Sequence, residues 1–328
     1  MKKISTLLFA VALGFTGLLK AQQDPQFTQF MYIKQAYNPA FVGTDGTICF
    51  NALYRQQWVS FPGAPKTGVF AFNMPVNLLG GMGVGLYFAN DQLGFMASNA
   101  VRVAAAKHFV LGENGAILSA GIDAGIFQQK INGTFIAPQT LNDPAIPTNT
   151  VTQAPALNKI VPDFGFGLYF TMPNKMYVGL SSSHLSAATL QGAASSANGK
   201  TYDLSFAMAR HYYIVAGYTF SFQGGDHNII PNLKIKTDAA TTQVDINLTY
   251  MLQKKFWIGA TYRLQDAVAP MLGYQFPFGL KAGYSYDVTL SKIKGYSSGT
   301  HEIMLGYCFK PKPPVKAQSH WNVRYFED

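Results

Sequence analysis

The chain has 328 residues; 48% are apolar, 14% aromatic and only 12% charged, the last about half the usual share of roughly 25%. That composition excludes intrinsic disorder, which needs low hydrophobicity with high charge, and a long coiled coil, which is rich in Glu, Lys and Ala. The net charge of +9 is spread thinly apart from Lys310, Lys312 and Lys316, which excludes the basic, aromatic-interleaved stripe of a nucleic-acid binder.

Residues 1–21 have the three parts of a secretory signal. Lys2 and Lys3 form the basic start, 4–19 is an apolar run, and Ala21 is a small residue suited to cleavage before Gln22. The run is short for a membrane span of about 20 residues. Cleavage removes three lysines and no acid, so the net charge falls to +6. No Cys lies near the cleavage point, which argues against a lipoprotein. Past the signal no apolar run approaches the length of a membrane helix. An exported, weakly charged chain then has two options, a soluble β protein or a membrane β-barrel whose apolar residues are spaced two apart.

Alternation of period two decides between them. In chain order, strands are predicted at 47–55, 67–75, 81–90, 98–109, 115–130, 163–172, 175–184, 204–222, 228–237, 242–251, 255–264, 268–276, 278–288 and 301–310. Met82, Val84, Leu86 and Phe88 alternate with Gly81, Gly83, Gly85 and Tyr87. Val244, Ile246, Leu248 and Tyr250 alternate with Gln243, Asp245, Asn247 and Thr249. The last strand alternates as Ile303, Leu305, Tyr307 and Phe309. A solvated sandwich would carry charge on its polar face; here that face is uncharged or glycine-rich. The stretch 204–222 is read as one strand through Arg210, His211 and Tyr212, which gives the even count that single-chain bacterial barrels require. The prediction is an all-β protein: an outer-membrane, transmembrane antiparallel β-barrel of about 14 strands over 47–310. The compact turns 173–174, 223–227, 252–254 and 277 fall on one side, and the longer connections 56–66, 91–97, 131–162, 185–203 and 289–300 on the other. Both termini are then periplasmic, with 311–328 as a polar periplasmic tail.

Several stretches are more specific than a generic barrel. The mature start reads Gln23-Asp24-Pro25-Gln26-Phe27-Thr28-Gln29-Phe30-Met31, followed by Tyr37-Asn38-Pro39-Ala40-Phe41-Val42-Gly43. Next come Tyr54-Arg55-Gln56-Gln57-Trp58 and Asn90-Asp91-Gln92-Leu93-Gly94. Tyr284-Ser285-Tyr286-Asp287 and Ser298-Gly299-Thr300-His301-Glu302-Ile303 stand near the end. In this order and spacing they resemble the PorP/SprF family of outer-membrane proteins linked to the type IX secretion system, over essentially the whole mature chain. Thr300 departs mildly from an expected Ser. The motif positions are Asp24, Pro25, Asn38, Pro39, Gly43, Arg55, Trp58, Asp91, Asp287, His301 and Glu302. The resemblance implies a barrel that works with type IX translocon components. It implies partners among secreted cargo with a C-terminal sorting domain, surface adhesins included, and a periplasmic peptidoglycan-binding lipoprotein; some members serve gliding motility.

Asn before Pro is pushed out of the helical region, and Phe27, Phe30, Met31 and Tyr32 bring apolar mass. Residues 22–46 are therefore expected to enter the lumen or cap its periplasmic mouth, the alternative being a disordered leader. Arg55 and Asp91 are expected near the outer ends of their strands, Arg55 in a structural ion pair. Cys49 opens the first strand and Cys308 nears the end of the last, so closure brings them together as a candidate seam pair, either disulfide-bonded or as two packed thiols.

Chemistry finds little support in the sequence. Gly295-Tyr296-Ser297-Ser298-Gly299 matches G-x-S-x-G but lacks the strand-to-helix elbow that pattern needs. His184, His211 and His227 have no metal-ligand spacing. Asp123, Asp203, Asp245 and Asp287 read as single acids. The expectation is a non-enzymatic barrel without cofactor or metal, contacting outer-membrane lipid and no nucleic acid. It would bind or anchor cargo through loops 56–66, 131–162 and 185–203. The alternative is a diffusion porin or apolar-solute transporter.

Overall fold

The computed structural model describes residues 24–76, 81–131, 134–135, 152–153, 157–195 and 201–311. The signal segment 1–21, the tail from 312 onward with Lys312 and Lys316, and most of the connection 132–156 lie outside the described residues. The barrel wall consists of β1 (Ile48–Gln56), β2 (Lys66–Val76), β3 (Met82–Leu93), β4 (Met96–Leu111), β5 (Ala116–Ile131), β6 (Leu157–Met172) and β7 (Met176–Ser183). It continues through β8 (His211–Tyr218), β9 (His227–Thr237), β10 (Thr242–Leu252), β11 (Phe256–Arg263), β12 (Ala267–Gln275), β13 (Leu280–Thr289) and β14 (Thr300–Phe309). These are the 14 strands of a closed antiparallel barrel. Each pairs with its neighbours in sequence, and β1 pairs with β14 from Ile48↔Phe309 to Gln56↔His301. Cys49 and Cys308 face each other in that register and are disulfide-bonded, with their Cα atoms 4.2 Å apart. Among the described residues no helix is long and apolar enough to cross a membrane.

The two faces of the wall are inverted relative to a water-soluble sheet. Ile246 and Leu248 on β10 are 53% and 57% exposed, while the intervening Asp245 and Asn247 are fully buried. On β14, Ile303, Leu305, Tyr307 and Phe309 point outward, and Glu302 and Met304 are buried. An apolar exterior around a polar interior is the solution that hydrocarbon imposes on a closed sheet. Aromatic side chains gather at the strand ends, as at Phe50–Phe72 and Tyr307–Phe309, whose ring centroids are 4.9 and 5.8 Å apart.

We call the end carrying Ile48 and Phe309 the near end. Its connections, such as 173–175, 253–255 and 276–279, are short. The far end carries 57–65, 184–210 and 290–299, together with the tight turns 94–95, 238–241 and 264–266.

One strand prediction needs correction. The stretch 204–222 is not a single wall strand. Thr201–Ala207 pairs with Thr189–Ser195 in a separate far-end hairpin, and the wall strand begins at His211, with Phe220–Phe222 as its continuation. The break at 208–210 has a packing cause. Met208 is buried with Ile131, Leu157 and Leu190 in a far-end apolar cluster, and its N–H bonds to Ala188 O. Arg210 Nε donates to Leu185 O. The strand count is unchanged, because the hairpin stands apart from the wall.

Residues 24–46 run inside the barrel. They form three single-turn 3-10 helices, Phe30–Tyr32, Lys34–Ala36 and Pro39–Phe41. Asn38 is extended, as a residue before proline should be, and its side chain caps the third turn by accepting from Ala40 N at 2.9 Å.

Candidate functional site

The lumen segment is held first by apolar burial. Phe27, Phe30, Ile33, Tyr37 and their neighbours pack with Leu53, Val69, Tyr87, Tyr213, Trp257 and Met304 of the wall. Each large side chain so buried contributes about 1.5–3 kcal/mol. Two contacts explain Gly83 of β3 and Gly121 of β5. Gly43 has φ +75°, and a Cβ there would lie 2.6 Å from Gly83 Cα. A Cβ on Gly121 would lie 2.6 Å from Ala40 Cα. Gly83 and Gly121 are thus a seat for the segment's backbone, where a side chain would push it off the wall.

A charged clamp grips the same segment. Glu302 accepts from the backbone N–H groups of Thr28 and Gln29 at 2.9 and 2.7 Å. Arg55 donates to Glu302 at 3.0 Å and to Asp287 at 2.7 Å. Thr28 Oγ1 donates to Asp287 at 2.7 Å and accepts from Arg55 at 3.1 Å. Arg263 bridges Asp287 at 2.9 Å to Asp245 at 3.3 Å, and Lys234 Nζ lies 2.7 Å from Asp245. Three cations face three carboxylates in a nearly dry interior, so each charge has a partner, as burial demands.

A second polar cluster surrounds Asp24 at the far end of the lumen. His184 Nε2 is 2.8 Å from Asp24 Oδ1, and its Nδ1 is 2.9 Å from Asp163 Oδ2. Tyr213 Oη donates to the other Asp24 oxygen, and Lys236 Nζ donates to the Asp24 carbonyl at 2.9 Å. Burial by itself would push the Asp24 carboxyl up; the His211 and His184 imidazoles and Lys236 override it and hold it well below the usual carboxylate range. Burial would likewise push His184 down, but the Asp24 and Asp163 carboxylates push it up to about 10.

The motif positions divide. Asp24, Asn38, Pro39 and Gly43 lie on the lumen segment, and Arg55, Asp287 and Glu302 meet that segment at Thr28. Pro25 and Asp91 line a small cavity beside Asp24. Trp58 and His301 stand apart: Trp58 N donates to Thr300 Oγ1 at 3.0 Å, and His301 Nδ1 lies 2.6 Å from Tyr284 Oη. One reading of the sequence is corrected here: Asp245 and Asp287, read as single acids, share Arg263. His184 and His211, which have no metal-ligand spacing in the sequence, have ring centroids 5.8 Å apart. Asp123 pairs with Arg102 at 3.6 Å. Lys234 and Arg263 were missed, although both fall on the inward parity of strands whose outward residues are apolar. Ser298 Oγ lies 2.9 Å from Ser60 Oγ, and Ser297 Oγ bonds to Gly299 N at 3.0 Å, so both hydroxyls serve the far-end loops. Below the segment, toward the near end, is a cavity of about 780 Å³ with Lys34, Asp45, Asn51 and Lys281 in its lining.

Comparison with known proteins adds a family. A family model described as type IX secretion system membrane protein PorP/SprF matches residues 19–307. No curated protein matches the chain. Solved structures similar to it include a TodX deltaS2S3 mutant monoaromatic hydrocarbon channel, 11% identical, covering 84% of this chain and 93% of that one with a TM-score of 0.48. The translocator domain of the autotransporter NalP from Neisseria meningitidis is 11% identical and covers 94% and 97%, with a TM-score of 0.48. The outer membrane protein Omp33 of Acinetobacter baumannii is 9% identical and covers 81% and 99%, with a TM-score of 0.44.

Proposed function

Because the chain belongs to the PorP/SprF family of type IX secretion system membrane proteins, we propose that this outer-membrane barrel binds and anchors particular secreted cargo at the translocon or the cell surface. The cargo class is large surface proteins with a C-terminal sorting domain, adhesins among them, and where such an adhesin drives movement the role extends to gliding motility. The observation that carries the proposal is the chain segment held inside the lumen. Residues 24–46 lie there, buried against the wall and tied by Glu302, Asp287 and Arg55, which favours a docking scaffold over a diffusion path. Recognition needs no covalent step. It would use the far-end connections 57–65 and 184–210, since barrel function resides mostly on loops. In this reading the far end faces outward and the near end, with both termini, faces the periplasm, where a peptidoglycan-binding lipoprotein would meet it. Deleting the gene should remove one class of sorting-domain protein from the cell surface, as read by surface proteomics, with other outer-membrane proteins unchanged. An unaltered surface proteome would reject the reading.

A further inference from the structure

The geometry points to a binding site for one divalent transition-metal ion of the zinc class, formed by Asp24, His184 and His211 at the far end of the lumen. Asp24 belongs to the lumen segment, His184 directly follows β7 and His211 opens β8. An ion held by all three would staple the segment to two places on the wall. Each residue offers one nitrogen or oxygen, and the three atoms lie within 4.8 Å of one another. His184 Nε2 and Asp24 Oδ1 are 2.8 Å apart. Ligands at about 2.0–2.2 Å from a tetrahedral zinc stand about 3.3–3.6 Å from each other, so this pair needs to open by only about half an ångström.

The surroundings fit coordination better than a plain ion pair. A metal-bound imidazole usually has its second nitrogen held by a carboxylate or a carbonyl. Asp163 lies 2.9 Å from His184 Nδ1, and Ala209 O lies 3.0 Å from His211 Nδ1. The Ala209 contact places the proton of His211 on Nδ1, the nitrogen nearer Asp24 at 3.8 Å from its Oδ2, and leaves the lone pair on Nε2, which is buried with no hydrogen-bond partner among the described residues; a turn of the ring brings that lone pair onto the ion. A protonated His184 between two carboxylates would account for His184 but leave this lone pair unused. Asp24 and Asp163 supply the two negative charges that a divalent ion needs. Beside Asp24 and His184 is a cavity of about 30 Å³, more than the roughly 10–15 Å³ that one water needs. A water can therefore complete a three-residue zinc site.

The test uses the full mature chain, purified in detergent, stripped with EDTA and titrated with Zn²⁺ by calorimetry. The expected result is one zinc per chain, with X-ray absorption showing imidazole ligands at about 2.0–2.1 Å. His211→Gln should weaken binding about tenfold or more, and Asp163→Asn by about 10–100-fold. Both variants should keep the heat-dependent gel shift of a folded barrel. Failure to retain zinc, zinc bound through oxygen ligands alone, or equal affinity in His211→Gln would overturn the site. Should His211→Gln fail to fold, the absorption spectrum of the unaltered chain decides by itself. None of these readouts depends on cargo, so the site can fail while the anchoring role stands, and the reverse.

Discussion

Glu302 shows how one buried carboxylate can serve wall and lumen together. One oxygen accepts from Gln29 N, and the other is shared by Thr28 N and Arg55. Replacing it with Ala leaves Arg55 with Asp287 alone of its two carboxylate partners and leaves two backbone N–H groups of the lumen segment unpaired. Breaking a buried pair from one side costs about 3–5 kcal/mol. Glu302→Ala should therefore lower the unfolding free energy of the detergent-solubilised barrel by that amount in a urea titration. A loss below about 1 kcal/mol, the range of solvent-exposed pairs, would show that water reaches the clamp. The resemblance in sequence singled out Glu302, Asp287 and Arg55. It could not show that Thr28 lies among them, because Thr28 Oγ1 and Asp287 are 259 positions apart.

At the scale of the element, the lumen segment departs most from a simple barrel. The wall was legible because lipid outside and polar contacts inside impose a strict period of two, as Val244 to Tyr250 display. The hairpin Thr189–Ser195 with Thr201–Ala207 was not separable from β8, since it alternates too and only the packing of Met208 marks the break. Entry of the segment into the lumen was suggested by Phe27, Phe30 and Met31, but its path along Gly83 and Gly121 depends on close approaches that no periodicity encodes. The same holds for His184 beside Asp24, two residues 160 positions apart. Deleting residues 24–46 would leave Arg55, Lys234, Asn247 and Glu302 lining a wet bore. The expected outcome is ion conductance in planar bilayers from the deleted form and silence from the intact chain. Gly121→Leu, which sets a side chain where Ala40 packs, should conduct partially if the deletion impairs folding. Equal conductance from intact and altered chains would mean that the segment does not govern the bore.

For the whole molecule, a charge content of 12% follows from closure. A barrel in lipid has no solvated outer face along its strands, so charge is confined to connections and to paired sites within the lumen, such as the clamp. Closure also puts the two ends of the chain side by side, and the Cys49–Cys308 disulfide joins them across 259 positions. In an unfolded chain that link forbids most separations of the ends. Chain-entropy arguments put such restriction at about 2–5 kcal/mol, although strain and residual structure can reduce it. Replacing both cysteines by Ser, which avoids stray intermolecular bridges, should therefore lower unfolding stability within that range without altering the folded barrel's gel mobility. Reductant should shift the midpoint of the unaltered chain in the same direction and leave the double variant unmoved. Because β1 and β14 are paired through the whole of β1, the seam should stay closed in the native state without the bridge. The loss should appear mainly as slower refolding, since the chain ends must find each other unaided. If the double variant instead conducts or loses its folded mobility, the disulfide holds the seam itself, and the β1–β14 ladder is weaker than its register implies.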